Sequence, residues 1–434
     1  MTELAAIPLR LPEVDAVLAD LDNSTPLKQA NVLWVSHLLA DIVPMGFALK
    51  AAGAESSRTI VVGTPYGTNP TVKACLEDLG FPVRKPKLSG DDYVAVVERA
   101  IDDIIEQHKK NKEPVTVLDD GGLVSHLLHD KAKYAPYRKF FRIVEQTTGG
   151  LLLAEKHALE AVVVNVARSR SKIFEGGAIG EVVATKMVQA LARFGSGLQG
   201  KGVCLIGYGV VGPHLASELQ ARGARLTIIE RNPTRAAAAK KAGFDVVVDD
   251  PGDAAATAKR KKALAGADLV VGATGRRTLS IDDIRALKDG AAIASASSKR
   301  IELAMEDLER AASSREEIPS GEPLVTLPTA RYRLGKKDVV VIGDGFPVNF
   351  DGGVQSVPPE RIQLTDAAML AALFQASKIG SNKRGIVDLD PAVDRLLLAR
   401  HQVTHQGSHA VYDPAQWRDV VKALGAVYDD VVTR

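Results

Sequence analysis

Val203-Cys204-Leu205-Ile206-Gly207-Tyr208-Gly209-Val210-Val211-Gly212 decides the fold. An apolar run that reads as a strand leads straight into three glycines spaced G-x-G-x-x-G, and a helical pattern then continues to Arg222. Strand, turn and helix in that order form a phosphate-binding turn. Gly207 permits the tight turn, Gly209 lets backbone approach a pyrophosphate, and Gly212 lets the helix lie close to the strand. The free N–H groups at the helix start would face the phosphates, and Val210 and Val211 line the same turn. Eighteen residues beyond Gly212, at the end of the strand Leu226-Thr227-Ile228-Ile229, stands Glu230. A carboxylate there accepts both ribose hydroxyls and repels a 2′-phosphate, so NAD is the expected cofactor. Arg231 is the one feature that favours NADP, and it is weighed below Glu230.

Further strands follow the turn: DVVVDD, LVVGATG, AAIASAS and DVVVIGDG, a count that suits a complete dinucleotide-binding unit. Thr274 and Gly275 end one of them, and Ser295 ends another, so all three are candidate cofactor contacts. Before the turn, NVLWVS, TIVVG, VTVLDDGG and AVVVNVA alternate with amphipathic stretches, the pattern of parallel strands joined by right-handed crossovers. The expectation is an α/β chain in which a Rossmann-type NAD-binding domain (179–350) is inserted in a larger doubly wound α/β substrate domain (1–178, resumed at 351–400). A C-terminal tail follows at 401–434.

The 434 residues exceed the size at which one core stops growing, about 250–300, so at least two domains are expected. Fifty-five basic and 53 acidic side chains nearly cancel, which gives no field to argue for nucleic acid or membrane. The N-terminal residues carry no secretory pattern, and the apolar stretch 31–54 is interrupted by His37, Asp41, Pro44 and Lys50. A cytoplasmic enzyme is expected. Cys75 and Cys204 are too few for a disulfide framework and read as buried packing residues. Lys259, Arg260, Lys261 and Lys262 read as a solvated helix face. His401, His405 and His409 read as exposed tail residues, with no metal site expected.

Three residues carry chemistry in the first domain. Lys172 shares a short loop with Arg168 and Arg170, and neighbouring like charge favours a neutral amine that can serve as a base. Asp120 ends an apolar strand, where α/β enzymes place catalytic groups, although a helix N-cap is the bland alternative. His37 also stands at a strand's carboxyl end.

Several segments in order resemble the S-adenosylhomocysteine hydrolase family, from about Lys28 to about Arg400. LDDGG at 118–122 is similar to that family's active-site turn, VEQTTGG at 144–150 resembles EETTTG, and NVARSRSK at 165–172 resembles NVNDSVTK. LIGYGVVG resembles LxGYGDVG, and GFPVNF at 345–350 resembles GRLVNL. The resemblance implies a redox-neutral cycle in which NAD⁺ takes hydride from the ribose 3′-carbon and the 4′-hydrogen becomes acidic. The 5′-substituent is then eliminated, water adds, and the ketone is reduced again. It implies Lys172 as base at the 3′-hydroxyl, and His37 and Asp120 as proton carriers near the 5′-position and C4′. Thr147 and Thr148 would hold nicotinamide and ribose, and Asn349 would lie near the carboxamide.

The chain departs from the family within the site. Gln146 replaces a glutamate and cannot act as a base, although it can still hydrogen-bond a hydroxyl. Gly176 stands where an aspartate is expected, with Glu175 beside it. Ser295 to Arg300 lacks a histidine, Gln355, Ser356 and Val357 replace another, and Leu39 replaces a threonine. The family's basic tail is not recognisable in the last residues. These changes point to a nucleoside other than adenosylhomocysteine, with a hydrolase or dehydratase outcome in a homo-oligomer. A catalytically silent NAD-binding paralogue with a regulatory role and a conventional NAD-dependent dehydrogenase are the competing readings.

Overall fold

The computed structural model describes residues 3–21, 24–88, 90–297, 299–319 and 327–405, with side chains at 90 and 403–405 left aside. The chain divides into two compact units, one formed by residues up to Glu175 together with those from Pro358 onward, the other by Gly176–Val357.

The first unit is built on β1 (Asn31–Leu38), β2 (Thr59–Thr68), β3 (Val83–Arg84), β4 (Val115–Asp119), β5 (Phe141–Glu145) and β6 (Val162–Asn165). A strand from the returning chain completes its sheet, whose order from one edge is that strand (Gly385–Asp388), β6, β5, β4, β1, β2, β3. Every neighbouring pair is parallel. The order runs outward in both directions from β1 and β4, which makes their carboxyl ends the switch point of a doubly wound sheet. Valine and isoleucine dominate these strands, as burial on both faces requires. The helix Gly90–Asn111 contributes Val97, Ala100, Ile101, Ile104 and Ile105 to one face, packed with Leu33, Val35, Val117 and Ile143. The helix Pro359–Lys378 covers β4, β5 and β6, and almost every residue from Gln363 to Phe374 is buried.

The second unit holds β7 (Gly202–Ile206), β8 (Arg225–Glu230), β9 (Asp245–Val248), β10 (Leu269–Gly272), β11 (Ala291–Ser295), β12 (Ser314–Ile318), β13 (Thr329–Leu334) and β14 (Lys337–Val341). The sheet order is β12-β13-β14-β11-β10-β7-β8-β9. From β9 to β14 the strands are parallel in the Rossmann order, and β13 and β12 add an antiparallel edge. The returning strand of the first unit is β15 (Gly385–Asp388).

Three local expectations are corrected. Cys75 is half exposed on a helix whose apolar stripe is Val72 and Leu76, whereas Cys204 is buried in β7. His401 is buried rather than exposed: its Nδ1 pairs with Glu13, and the adjacent Arg400 meets both carboxylate oxygens of Asp20 at 2.6 Å. The helix Pro391–His405 is thereby tied to the helix Pro12–Ala19. The side chain of His405, and the whole of His409 and the tail from 406, lie outside the described residues. In the basic run, Lys259, Lys261 and Lys262 are exposed, while Arg260 is a tie that reaches Asp283 at 2.6 Å and the Thr278 carbonyl at 2.8 Å.

Candidate active site

His37 lies near the end of β1 and Asp120 directly follows β4, so the pair straddles the switch point of the first sheet. His37 Nδ1 and Asp120 Oδ2 are 2.5 Å apart, with both side chains largely shielded from solvent. Burial alone would raise the Asp120 carboxyl, but the charge and hydrogen bond of His37, with help from Lys172 and from the Gln146 side chain, hold it below the ordinary range. The capping duty belongs to the neighbour: Asp119 Oδ2 accepts the Ser125 N–H at 3.1 Å, and Gly122, at φ 74°, fills the N-cap position. Asp120 is therefore spared for His37. A Cβ on Gly122 would sit 2.6 Å from the Gly150 Cα, so the DDGG turn reaches the TTGG turn only because residue 122 is glycine, and a Cβ on Gly150 would strike the Glu145 carboxylate.

Glu145, at the end of β5, is the buried post behind these turns. Its Oε1 accepts the Thr147 N–H at 2.6 Å, the Thr147 hydroxyl at 2.7 Å and the Gly121 N–H at 3.3 Å. Burial and the nearby Asp119 push its pKa well above the usual carboxylate range. Thr147 also accepts the Gly150 N–H at 2.9 Å, so its hydroxyl is engaged as a helix N-cap. Thr148 is exposed.

Lys172 sits on the five-residue helix Arg170–Phe174, which follows β6 and is capped by Ser169. Its charge lowers the pKa values of Asp41, Asp120, Glu175 and Asp366. Burial nevertheless raises Asp41 to about 6 and Glu175 to about 8, and raises Asp366 well above the carboxylate range. Like charge from the loop is weakened, because Arg168 is drawn to Glu155 at 2.7 Å, and carboxyl groups are the amine's charged neighbours instead. The amine thus stands among buried carboxyl groups, of which Asp41 and Glu175 have pKa values near neutrality. Lys172, His37, Asp120 and Gln146 thus gather in one unit.

Asp41, Asp366 and Glu145 carry no site role in the sequence reading. Nor does Asp394, which accepts the N–H groups of Arg170 at 2.8 Å and Ser171 at 3.0 Å from 224 and 223 residues away. Tyr66 is a further site residue, and its hydroxyl lies 3.0 Å from His37 Nε2. A Pro and a Gly inside β2 (Thr-Pro-Tyr-Gly at 64–67) were the available signal, because neither suits a central strand.

In the second unit the turn after β7 has the geometry its glycines announce. Gly207 has φ 107°, and a Cβ there would meet Thr274 and Ala273 at 2.7–2.8 Å. A Cβ at Gly212 would stand 2.5 Å from the Gly207 carbonyl oxygen, whereas at Gly209 only Arg235 comes near, at 3.7 Å. Backbone is thus open where a pyrophosphate would approach and closed where helix meets strand. Val210 is exposed at the tip, and Val211 immediately precedes the helix Gly212–Ala221. Glu230 accepts the Tyr208 N–H at 2.6 Å and the Asn232 N–H at 2.8 Å. Those bonds use half of a carboxylate's acceptor capacity and leave the rest for ribose hydroxyls. Arg231 is exposed and turned to Asp249 at 3.2 Å.

At the carboxyl ends of β10 and β11, the fully buried Glu302 binds both loops. It accepts the Thr274 N–H at 2.7 Å, the Thr274 hydroxyl at 3.0 Å, the Gly275 N–H at 3.1 Å and the Ser295 hydroxyl at 2.8 Å. The side chains of Thr274 and Ser295 are thus engaged by protein. Asn349 is buried beside them, since Val348 N–H donates to the Ser295 carbonyl at 3.0 Å. Among the described residues no group of histidine, cysteine and acids could hold a metal ion. Nor is any described helix long and apolar enough to cross a membrane.

The parallel sheet, the glycine turn and Glu230 define a Rossmann-type, NAD-binding protein. Residues 183–354 match the family model described as S-adenosyl-L-homocysteine hydrolase, NAD binding domain. An adenosylhomocysteinase of Sulfolobus acidocaldarius is 27% identical over 347 residues, covering 79% of this chain and 76% of the relative. That of Gloeothece citriformis is 26% identical over 396 residues, covering 89% and 84%. An S-inosyl-L-homocysteine hydrolase of Methanococcus maripaludis is 25% identical over 348 residues, covering 78% and 76%. Over most of its length the chain is thus similar to S-adenosyl-L-homocysteine hydrolases, from which it has diverged widely.

Proposed function

We propose that the protein is an NAD-dependent enzyme that acts on a nucleoside by transient oxidation at the ribose 3′-carbon, with elimination and addition at the 5′-position. The observation that carries the reading is the convergence of Lys172, His37, Asp120 and Gln146 at the carboxyl ends of β1, β4, β5 and β6. Bound NAD would supply a hydride acceptor that is restored at the end of each turnover. Gly207, Gly209, Gly212 and Glu230 hold it, and Asn349, Thr274, Gly275 and Ser295 stand at the same edge of that sheet.

Lys172 takes the 3′-hydroxyl proton, and the raised carboxyls of Asp41, Glu175 and Asp366 keep negative charge low around it. His37 and Asp120 move protons at the 5′-position. Gln146 donates to Asp120 and hydrogen-bonds a sugar hydroxyl, but it takes no proton. Relatives are named for adenosyl and for inosyl thioethers, so the proposed substrate class is a nucleoside with a 5′-leaving group, without commitment to the base. A silent NAD-binding paralogue is the second reading, favoured by the amide of Gln146 where a base would be needed.

The test is nucleoside-dependent reduction of the bound cofactor, read by absorbance with adenosine and with inosine. Lys172→Ala should slow that reduction by about 10²–10⁴-fold while leaving NAD bound. Unchanged reduction in the variant removes Lys172 from the chemistry. Bound NAD that neither nucleoside reduces favours the silent paralogue, and steady NADH production favours a simple dehydrogenase.

A further inference from the structure

β1 and β2 are in register through Ser36 and Gly63, and pairing resumes at Leu38 and Thr68. One residue of β1, His37, is therefore opposed by four of β2, Thr64-Pro65-Tyr66-Gly67. Bulges re-aim side chains, and this one folds around the imidazole. A Cβ at Gly67 would lie 2.3 Å from His37 Cδ2, so the loop closes on the ring only because residue 67 is glycine. The Tyr66 hydroxyl takes the remaining ring nitrogen, Nε2, at 3.0 Å, with the rings edge to face at 5.2 Å between centroids. Thr64 Oγ1 lies against the same loop, buried and without a hydrogen-bond partner among the described residues. Asp120 holds Nδ1 at 2.5 Å, so both nitrogens of His37 are committed to protein groups.

We propose that Tyr66 is the terminal proton-transfer residue of an Asp120–His37–Tyr66 relay, so that the phenol, and not the imidazole, meets the 5′-substituent. The inference rests on the proposed function and adds the group that touches the leaving atom. The C4′ proton passes to water, which returns one to C4′ after addition, and the electron pair left at C4′ forms the C4′=C5′ double bond as the C5′–S bond breaks. The departing sulfur takes the Tyr66 hydroxyl proton, and the phenol oxygen regains one from His37 Nε2–H. His37 is left neutral, with Nδ1–H on Asp120. When water adds at C5′, its proton passes to Tyr66 and from Tyr66 to His37 Nε2, which restores the starting state. The geometry suits this order because the tyrosine hydroxyl accepts from one side and donates from the other.

The test uses full-length protein loaded with NAD and two readouts on Tyr66→Phe. Cofactor reduction by adenosine or inosine reports the 3′ step, and thiol release from S-adenosylhomocysteine and S-inosylhomocysteine reports the 5′ step. Reduction should stay within about twofold of wild type, while thiol release falls about 10²-fold or more, the scale of a lost general acid. A 5′-(4-nitrophenylthio) nucleoside, whose thiolate leaves without a proton, should be cleaved by Tyr66→Phe at close to the wild-type rate. Slowing of both thioethers alike would make Tyr66 structural and overturn the inference, as would thiol release at the wild-type rate. In either case the proposed function would stand. A wild-type protein that shows neither cofactor reduction nor thiol release refutes the proposed function, and the relay with it.

Discussion

Asp394→Ala should dismantle the support of Lys172 without touching the lysine. The helix that carries Lys172 has five residues, far below the length at which a helix holds itself together in water. Its N-terminus is fixed from outside by Asp394, whose two oxygens accept the Arg170 and Ser171 N–H groups at 2.8 and 3.0 Å and also the Ser171 hydroxyl. Asp394 and Ser171 are both buried, so water does not replace the lost acceptor at once. Each stranded donor costs roughly 1–3 kcal/mol, which sets the loss at about 3–5 kcal/mol for Ala. Asn turns an amide N–H toward one of the donors and should cost about 2–3 kcal/mol. Urea unfolding followed by the fluorescence of Trp34, buried in β1 of the same unit, reads the stability change. Nucleoside-dependent cofactor reduction, measured where the variant is still folded, should fall by at least about tenfold, because misplacing a catalytic group by an ångström has that order of effect. A variant with the wild-type urea midpoint and wild-type reduction would refute the reasoning.

Two further outcomes follow from other buried acids. Glu175 has a folded pKa of about 8 against an ordinary 4.5, so between those values the folded state binds the proton that the unfolded state has lost, and stability falls as pH rises. Glu175→Gln keeps the acceptor for the Thr365 hydroxyl and should melt with wild type near pH 4 but above it near pH 8; equal melting temperatures at both would contradict the shift. Glu302→Ala removes the acceptor shared by the Thr274 and Gly275 N–H groups and the Thr274 and Ser295 hydroxyls, of which the Ser295 hydroxyl is fully buried. It should cost about 1–3 kcal/mol and weaken NAD binding, read by thermal melting with and without NAD.

The sequence was most legible where structure is local. The strand before Gly207, the helix after it and Glu230 lie within thirty residues, and each glycine's duty follows from its spacing. The long valine-rich strands of both sheets announced themselves for the same reason. β12 did not, because its Ser-Arg-Glu-Glu face is exposed at an edge and lacks apolar alternation. β3 and β15 are two and four residues long, too short for a period to register. β5 (Phe-Arg-Ile-Val-Glu) was hidden by Arg142, whose guanidinium reaches the Ile379 carbonyl. His37 and Asp120 could be named singly from their strand ends, but their pairing depends on β1 and β4 being neighbours across 83 residues. Asp394, Asp366 and His401 act on partners far away in the chain, and nothing beside them in the sequence marks that role. Tyr66 stands between Pro65 and Gly67, which break the apolar run of β2 and belong to the bulge that aims it.

The most direct measurement of the central claim is hydrogen exchange at the nucleoside C4′ in deuterated water, followed by NMR with the NAD-loaded protein and with Lys172→Ala. A transient 3′-ketone acidifies C4′–H, so adenosine or inosine should gain deuterium at C4′ and keep hydrogen at C3′, with exchange lost in the variant. Bound nucleoside that retains C4′–H through many cofactor-binding lifetimes, or exchange equal in the two proteins, would contradict the account.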